Sequence, residues 1–289
     1  MSIDRLQDKI RKMKNPTVLN MSFMKEHIPL GVSDSAGTEL KAYEQYAVAL
    51  MDALKDIIPA VRFSFSAFSL MGAEGLAALE NLQLIAKKFG YYVFMDAPDA
   101  LSAQDAGWAA QQLMCSDSRW LFDGLVLSSY IGSDGLRPYL PYLNDNDKDI
   151  FVVIRTANKS ATELQDLLTG TRLMHMANAD IVNRFTQPYI TRCAYSRIAA
   201  MAGASSAESL RTLRDKYKDM FLLVDGCDYP NANAKNCSYA FDRLGHGAIV
   251  SVGLSIIAAW MDSEEDAITA AVEAALRLRK NLMRYITIL

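Results

Sequence analysis

Eight short apolar runs, separated by longer amphipathic stretches, leave this chain few ways to fold. The runs are Thr17–Met21, Ala60–Phe65, Tyr91–Met95, Gly124–Ser128, Ile150–Arg155, Tyr195–Ala200, Met220–Val224 and Ala248–Val252. Between them helical patterning predicts Glu39–Asp56, Ala73–Phe89, Ala103–Ser116, Ser160–Leu168, Ala207–Tyr217, Ala234–Leu244 and Glu264–Tyr285. The apolar runs are nearly continuous rather than alternating, the pattern of strands buried on both faces of a parallel sheet. Eight strand–helix units in 289 residues predict an α/β fold of the closed (β/α)8 TIM-barrel type rather than an open doubly wound sheet.

Local signals mark the element ends. Ser205-Ser206-Ala207-Glu208 reads as a capping box. Ser263 followed by Glu264, Glu265 and Asp266 opens a last helix that closes on Arg277, Arg279, Lys280 and Arg284, acid first and base last as the helix dipole favours. Met1–Lys14, with Ile3, Leu6, Ile10 and Met13 on one stripe, predicts an N-terminal helix closing the barrel floor rather than a signal peptide. Lys87 and Lys88 are expected to point to solvent at that far end. No linker or internal repeat divides the sequence, so residues 1–289 read as one domain.

Composition narrows the function classes. Apolar residues at 51% and charged residues at 22% fit a globular protein with a large core. A net charge of −3 spread along the chain speaks against nucleic acid or an anionic membrane as partner. No apolar run reaches the roughly 18 residues of a membrane span. Cys115, Cys193, Cys227 and Cys237 lack metal-ligand spacing and read as reduced thiols of a cytoplasmic protein. His27, His175 and His246 are far apart in sequence, so neither a catalytic histidine nor a cofactor is expected.

Several ordered segments resemble the orotidine 5'-monophosphate decarboxylases, in the bacterial branch of longer chains. Ser2-Ile3-Asp4-Arg5-Leu6 with Lys14-Asn15-Pro16-Thr17-Val18 is similar to that family's opening helix and first strand. Ile58-Pro59-Ala60-Val61 resembles the approach to its second strand. Asp96-Ala97 is similar to the start of its central motif, and Tyr130 to Leu136 to the loop after its fourth strand. Ile150 to Asn158 with Glu163-Leu164-Gln165-Asp166 resembles its fifth strand and helix. Gly247-Ala248-Ile249-Val250 and Ser255-Ile256-Ile257 frame the eighth.

The departures fall on the loops after the strands, where barrel enzymes carry their chemistry. The resemblance implies Asp-x-Lys-x-x-Asp in the third loop, whose Lys protonates the carbanion left when carbon dioxide departs. Here the run is Asp96-Ala97-Pro98-Asp99-Ala100-Leu101, with Pro98 for the Lys and Leu101 for the second Asp. The ribose-binding Asp after the first strand gives way to Asn20-Met21-Ser22-Phe23, and the Lys after the second to Arg62. An Asn-Pro after the fourth becomes Ser128-Ser129. The seventh loop reads Asp225-Gly226-Cys227-Asp228-Tyr229-Pro230, and the phosphate-binding Arg of the eighth becomes Leu254. Proline offers neither a proton nor a backbone N–H.

Asp96, which matches the motif, is therefore the candidate catalytic residue, with pairing to Arg62 as its plainer role. Arg62, Asp99, Ser128, Arg155, Asp225 and Asp228 are the candidate ligand-binding residues, and Asp96, Asp99, Asp225 and Asp228 are where a hard cation would sit if there were one. The expected molecule is a divergent decarboxylase homologue without efficient activity, binding a different small molecule at the C-terminal mouth of the barrel or acting without catalysis. The alternatives are an active orotidine 5'-phosphate decarboxylase of pyrimidine biosynthesis with a rearranged site, and a metal-assisted enzyme built on the aspartates. The resemblance also implies a homodimer, in which Leu101 would make an apolar contact.

Overall fold

A computed structural model describes residues 1–228 and 232–289. Eight parallel strands close into a barrel: β1 (Thr17–Asn20), β2 (Ala60–Ser64), β3 (Tyr92–Asp96), β4 (Gly124–Ser128), β5 (Asp149–Arg155), β6 (Ile198–Gly203), β7 (Leu222–Asp225) and β8 (Ala248–Val252). Each pairs with its neighbours in sequence, and β1 closes the circle on β8 through Thr17 opposite Val250. Among the helices around it are α1 (Ser2–Met13), α2 (Glu39–Leu54), α3 (Gly72–Lys88), α4 (Ala103–Met114), α5 (Met174–Asn183), α6 (Ala207–Lys216), α7 (Ala234–Ser238) and α8 (Ala267–Leu282). Among the described residues no helix is long and apolar enough to cross a membrane. The expected TIM barrel is the observed fold.

Aromatic rings fill the barrel axis. Phe94 packs 4.8 Å from Tyr92 and 4.9 Å from Phe151, and Phe221 continues the chain to Tyr195. Such tilted and edge-to-face pairs add about 0.5–1.5 kcal/mol each beyond their buried area. Gly124 opens β4 beside this stack because a Cβ there would lie 2.7 Å from the Tyr92 hydroxyl and 2.9 Å from the Phe151 ring.

Helix α1 caps the N-terminal ends of the strands. Ile3, Leu6 and Ile10 are fully buried, and burying each contributes about 1.5–3 kcal/mol. Its Gln7 side chain accepts from the Gly247 N–H just before β8. Beneath the barrel lies an ionic network. Arg197 donates to Asp149 and to Asp147, each at 3.0 Å. Arg5 also pairs with Asp147 and reaches Asp123 at 2.9 Å. Lys87 closes on Asp123 at 2.7 Å, so this lysine is half-buried in an ion pair instead of pointing into solvent.

Other sequence expectations also need correction. The sixth strand begins at Ile198, not Tyr195: Ser196 bridges antiparallel to Ile190 and its hydroxyl donates to the Thr186 carbonyl, so Tyr195, Ser196 and Arg197 are buried ahead of the strand. The helix expected over Ser160–Leu168 shortens to Ala161–Leu164. A hairpin of Leu168–Thr169 with Arg172–Leu173 follows, turning at Gly170 with φ +66°, and then α5, which the apolar pattern did not mark. The helix expected to Leu244 ends at Ser238. Capping differs in detail: Asp266 rather than Ser263 caps α8, and Ser206 accepts from the Ser209 N–H in place of a reciprocal bond with Glu208.

Candidate functional site

Register sets the heights of the mouth residues. Asn20 lies opposite Arg62, Ser64 opposite Asp96, and Gly203 opposite Asp225. Arg62 stands mid-strand on β2 and is 6% exposed, while Asp96 and Asp225 end β3 and β7. The guanidinium reaches up to both: Nε donates to Asp96 Oδ1 at 2.7 Å and Nη1 to Asp225 Oδ1 at 2.6 Å. This triad spans the barrel mouth from the β2–β3 side to β7.

Its electrostatics are lopsided. Burial works against the Arg62 charge, yet Asp96 and Asp225 overcome it and hold the guanidinium above its ordinary range. Burial raises the Asp96 carboxyl; Arg62 opposes the rise and Asp225 adds to it. One cation therefore serves two carboxylates. An arginine stays protonated and makes a poor proton donor, so the cluster can orient or repel a ligand but is badly suited to deliver a proton.

The remaining candidates divide. Asp228 accepts from the Gly253 N–H at 2.6 Å, where the chain leaves β8 toward Leu254. Tyr229 and Pro230 of that seventh loop lie outside the described residues. Asp99 is exposed and, among the described residues, joins none of the mouth ion pairs. The aspartates do not converge: among the described residues, no group of three or more His, Cys, Asp or Glu side chains is placed to share a metal ion. The metal reading of Asp96, Asp99, Asp225 and Asp228 has no geometric support.

Arg155 takes no part in this triad. It forms a two-pronged pair with Asp166, Nε to Oδ1 and Nη2 to Oδ2 both at 2.9 Å. That bond comes first among the causes holding the Asp166 carboxyl below its ordinary range. His175, on α5 and 1% exposed, rests its Nδ1 on the Gln165 carbonyl at 3.0 Å and near Asp166 at 3.2 Å. Sequence reading missed this group because His175 lies on the unassigned helix. The only hint was Asp166 eleven positions past Arg155, which signals nothing without the intervening turn.

Ser128 belongs to a second feature. With Val153, Leu164, His175 and Asn178 it lines a cavity of about 350 Å³ between the ends of β4 and β5, the hairpin and α5. Ser129 donates to Asn178 at 2.7 Å, and Asn178 donates to the Val153 carbonyl, so α5 is fastened to the barrel rim by polar contacts. Small-molecule sites are commonly mostly apolar clefts of about this size with a few placed polar groups.

No family model matches the chain. Among curated relatives, the orotidine 5'-phosphate decarboxylase of Petrotoga mobilis is 24% identical, with 98% of each chain covered. That of Clostridium acetobutylicum is 26% identical, over 98% of this chain and 100% of the relative. The orotidine 5'-monophosphate decarboxylase structure from Plasmodium berghei superposes with a TM-score of 0.79 at 12% identity, covering 98% of this chain and 97% of that one, a likeness of fold. Over nearly its whole length this chain is similar to these orotidine 5'-phosphate decarboxylases, and its barrel shares the fold of the solved one.

Proposed function

We propose that this chain is a divergent member of that family which no longer decarboxylates orotidine 5'-phosphate efficiently and holds a different small molecule at its barrel mouth. The observation that carries the reading is the Arg62 triad. The ion pairs of Asp96 and Asp225 both run to Arg62, and among the described residues no lysine shares them. Pro98 stands two residues beyond Asp96, where the family resemblance implies the proton-donating Lys. Losing one preorganised donor typically costs about 10²–10³ in rate, and losing the proton source costs more.

Phosphate recognition is weakened on the same side. The Gly253 N–H, at the loop where the resemblance implies a phosphate-binding Arg, is already taken by the Asp228 carboxylate. A phosphate dianion placed there would meet like charge and Leu254 instead of a guanidinium. The cavity beside Ser128 supplies space for a less charged ligand. In the homodimer that the family likeness suggests, a second copy would cover Leu101, which is 84% exposed.

The names of the curated relatives favour a second reading, an active decarboxylase of pyrimidine biosynthesis that works through Arg62. One assay separates the two. Purified protein is incubated with orotidine 5'-phosphate and uridine 5'-phosphate is measured, alongside rescue of a pyrimidine-requiring strain. The proposal expects no product above the uncatalysed rate and no rescue. Growth of the strain, with turnover abolished by Asp96→Ala, would establish the second reading instead.

A further inference from the structure

Cys227 and Cys237 bracket the loop that follows β7. Cys227 lies two residues beyond Asp225 and is partly exposed; Cys237 lies on α7 and is fully buried. Their sulfurs are 3.7 Å apart, with the Cys237 thiol donating toward the Cys227 sulfur. Cys115 follows α4 and Cys193 sits beneath the floor near Asp4, so the remaining two cysteines belong to other regions. Neither sulfur of the pair takes part in the Arg62 triad.

We infer that Cys227 and Cys237 are an oxidative modification site, a dithiol that closes to a disulfide on exposure to a hydroperoxide. The two sulfurs play unequal parts. The hydrogen bond from Cys237 lowers the Cys227 thiol below its ordinary value, against burial and the nearby Asp228. The same contact and burial push Cys237 up. Cys227 is thus the more accessible and more readily ionised sulfur, and thiolate is the reactive form. It attacks one peroxide oxygen, the O–O bond breaks, and water or an alcohol leaves, so that Cys227 becomes a sulfenic acid. Cys237 then attacks that sulfur and expels the sulfenic oxygen as water, its own proton going to the leaving oxygen. Two electrons pass from the thiols to the peroxide, and two thiol hydrogens end in the released products.

Bond formation requires the sulfurs to close from 3.7 Å to about 2.05 Å. Positive φ at Gly226 (+72°) gives the chain a turn directly before Cys227, and α7 is only five residues long, so both partners sit on short elements. The closed bond would tie the segment bearing Asp225 and Asp228 to α7, making the acidic side of the mouth dependent on redox state.

The test treats reduced full-length protein with hydrogen peroxide, then denatures it and counts thiols. Titratable thiols should fall from the four free cysteines to two. Peptide mapping without reductant should find 227 joined to 237 with the loss of two hydrogen masses, and dithiothreitol should restore all four thiols. Cys227→Ser and Cys237→Ser should each abolish the crosslink, so the surface-side variant suffices if the buried one fails to fold. Cys115→Ser and Cys193→Ser should leave it intact. Retention of four thiols, a crosslink to Cys115 or Cys193, or sulfinic acid at Cys227 without a crosslink would each overturn the inference.

Discussion

The two ends of this barrel handle charge in opposite ways. At the floor, acids and bases alternate: Lys87 with Asp123, Asp123 with Arg5, Arg5 with Asp147, Asp147 with Arg197, Arg197 with Asp149. The Tyr92 hydroxyl finishes the series on Asp149 at 2.8 Å. At the mouth a single guanidinium meets two carboxylates, and a third carboxylate, Asp228, turns to backbone. The floor thus uses charge to hold α1 and the strand starts together. The mouth retains an acidic surplus that an alternating structural network would not need.

That contrast predicts unequal penalties. Arg197→Ala should destabilise the protein most, by about 3–5 kcal/mol, because it strands a buried carboxylate as well as opening a void. Arg197 is 2% exposed and Asp149 fully buried, so water cannot take the missing partner's place. Equilibrium urea unfolding measures this; a loss under about 1 kcal/mol would mean that the floor network is not structural in this sense.

Next comes the pH dependence of the floor. Burial pushes the Asp149 carboxyl up to about 7, with Arg197 and Tyr92 acting against it, from an ordinary value of 3.8. The folded protein therefore keeps this proton at pH values where the unfolded chain has lost it. The resulting stabilisation is full below the unfolded value and is lost as pH rises through the folded one. Relative to Asp149→Asn, which cannot titrate there, the parent protein should lose up to about 4 kcal/mol between roughly pH 4 and pH 8. A stability difference that stays level with pH would remove this feature of the floor.

Smaller still is the expected cost of Arg62→Ala, about 1–3 kcal/mol, the range for leaving hydrogen-bonded groups without their partner. Asp96 and Asp225 keep 26% and 22% of their side-chain surface, so water can solvate what Arg62 leaves behind. Arg62→Lys should recover part of this loss, since it restores charge but cannot span both carboxylates with a planar fork. Should Arg62→Ala cost as much as Arg197→Ala, the mouth triad would be a second structural network and the comparison would fail.

The barrel was readable because burial on both faces leaves a local mark. Continuous apolar runs such as Gly124–Ser128 and Ala248–Val252 became strands with those bounds. Tyr195–Ala200 misled because Tyr195, Ser196 and Arg197 run directly into the strand and nothing local sets them apart; the Ile190–Ser196 bridge shows where they turn aside. The site was readable in part. Asp96 pairs with Arg62, the plainer role the sequence offered for it, and Asp225 joins the same guanidinium, whereas Asp99 stands apart and Arg155 is absorbed by Asp166.

What the sequence determined by itself, then, is the alternation of strand and helix, the closing stripe of α1 and the residue types offered at each strand end. These depend on near neighbours, through periodicity and backbone preference. Only the tertiary structure decided which of those residues share a proton, a charge or a contact. Arg62 and Asp225 are 163 positions apart, and Arg5 and Asp147 are 142 apart. No local rule links such residues; barrel closure brings them together, and it alone makes one end a balanced ionic base and the other an acid-rich mouth.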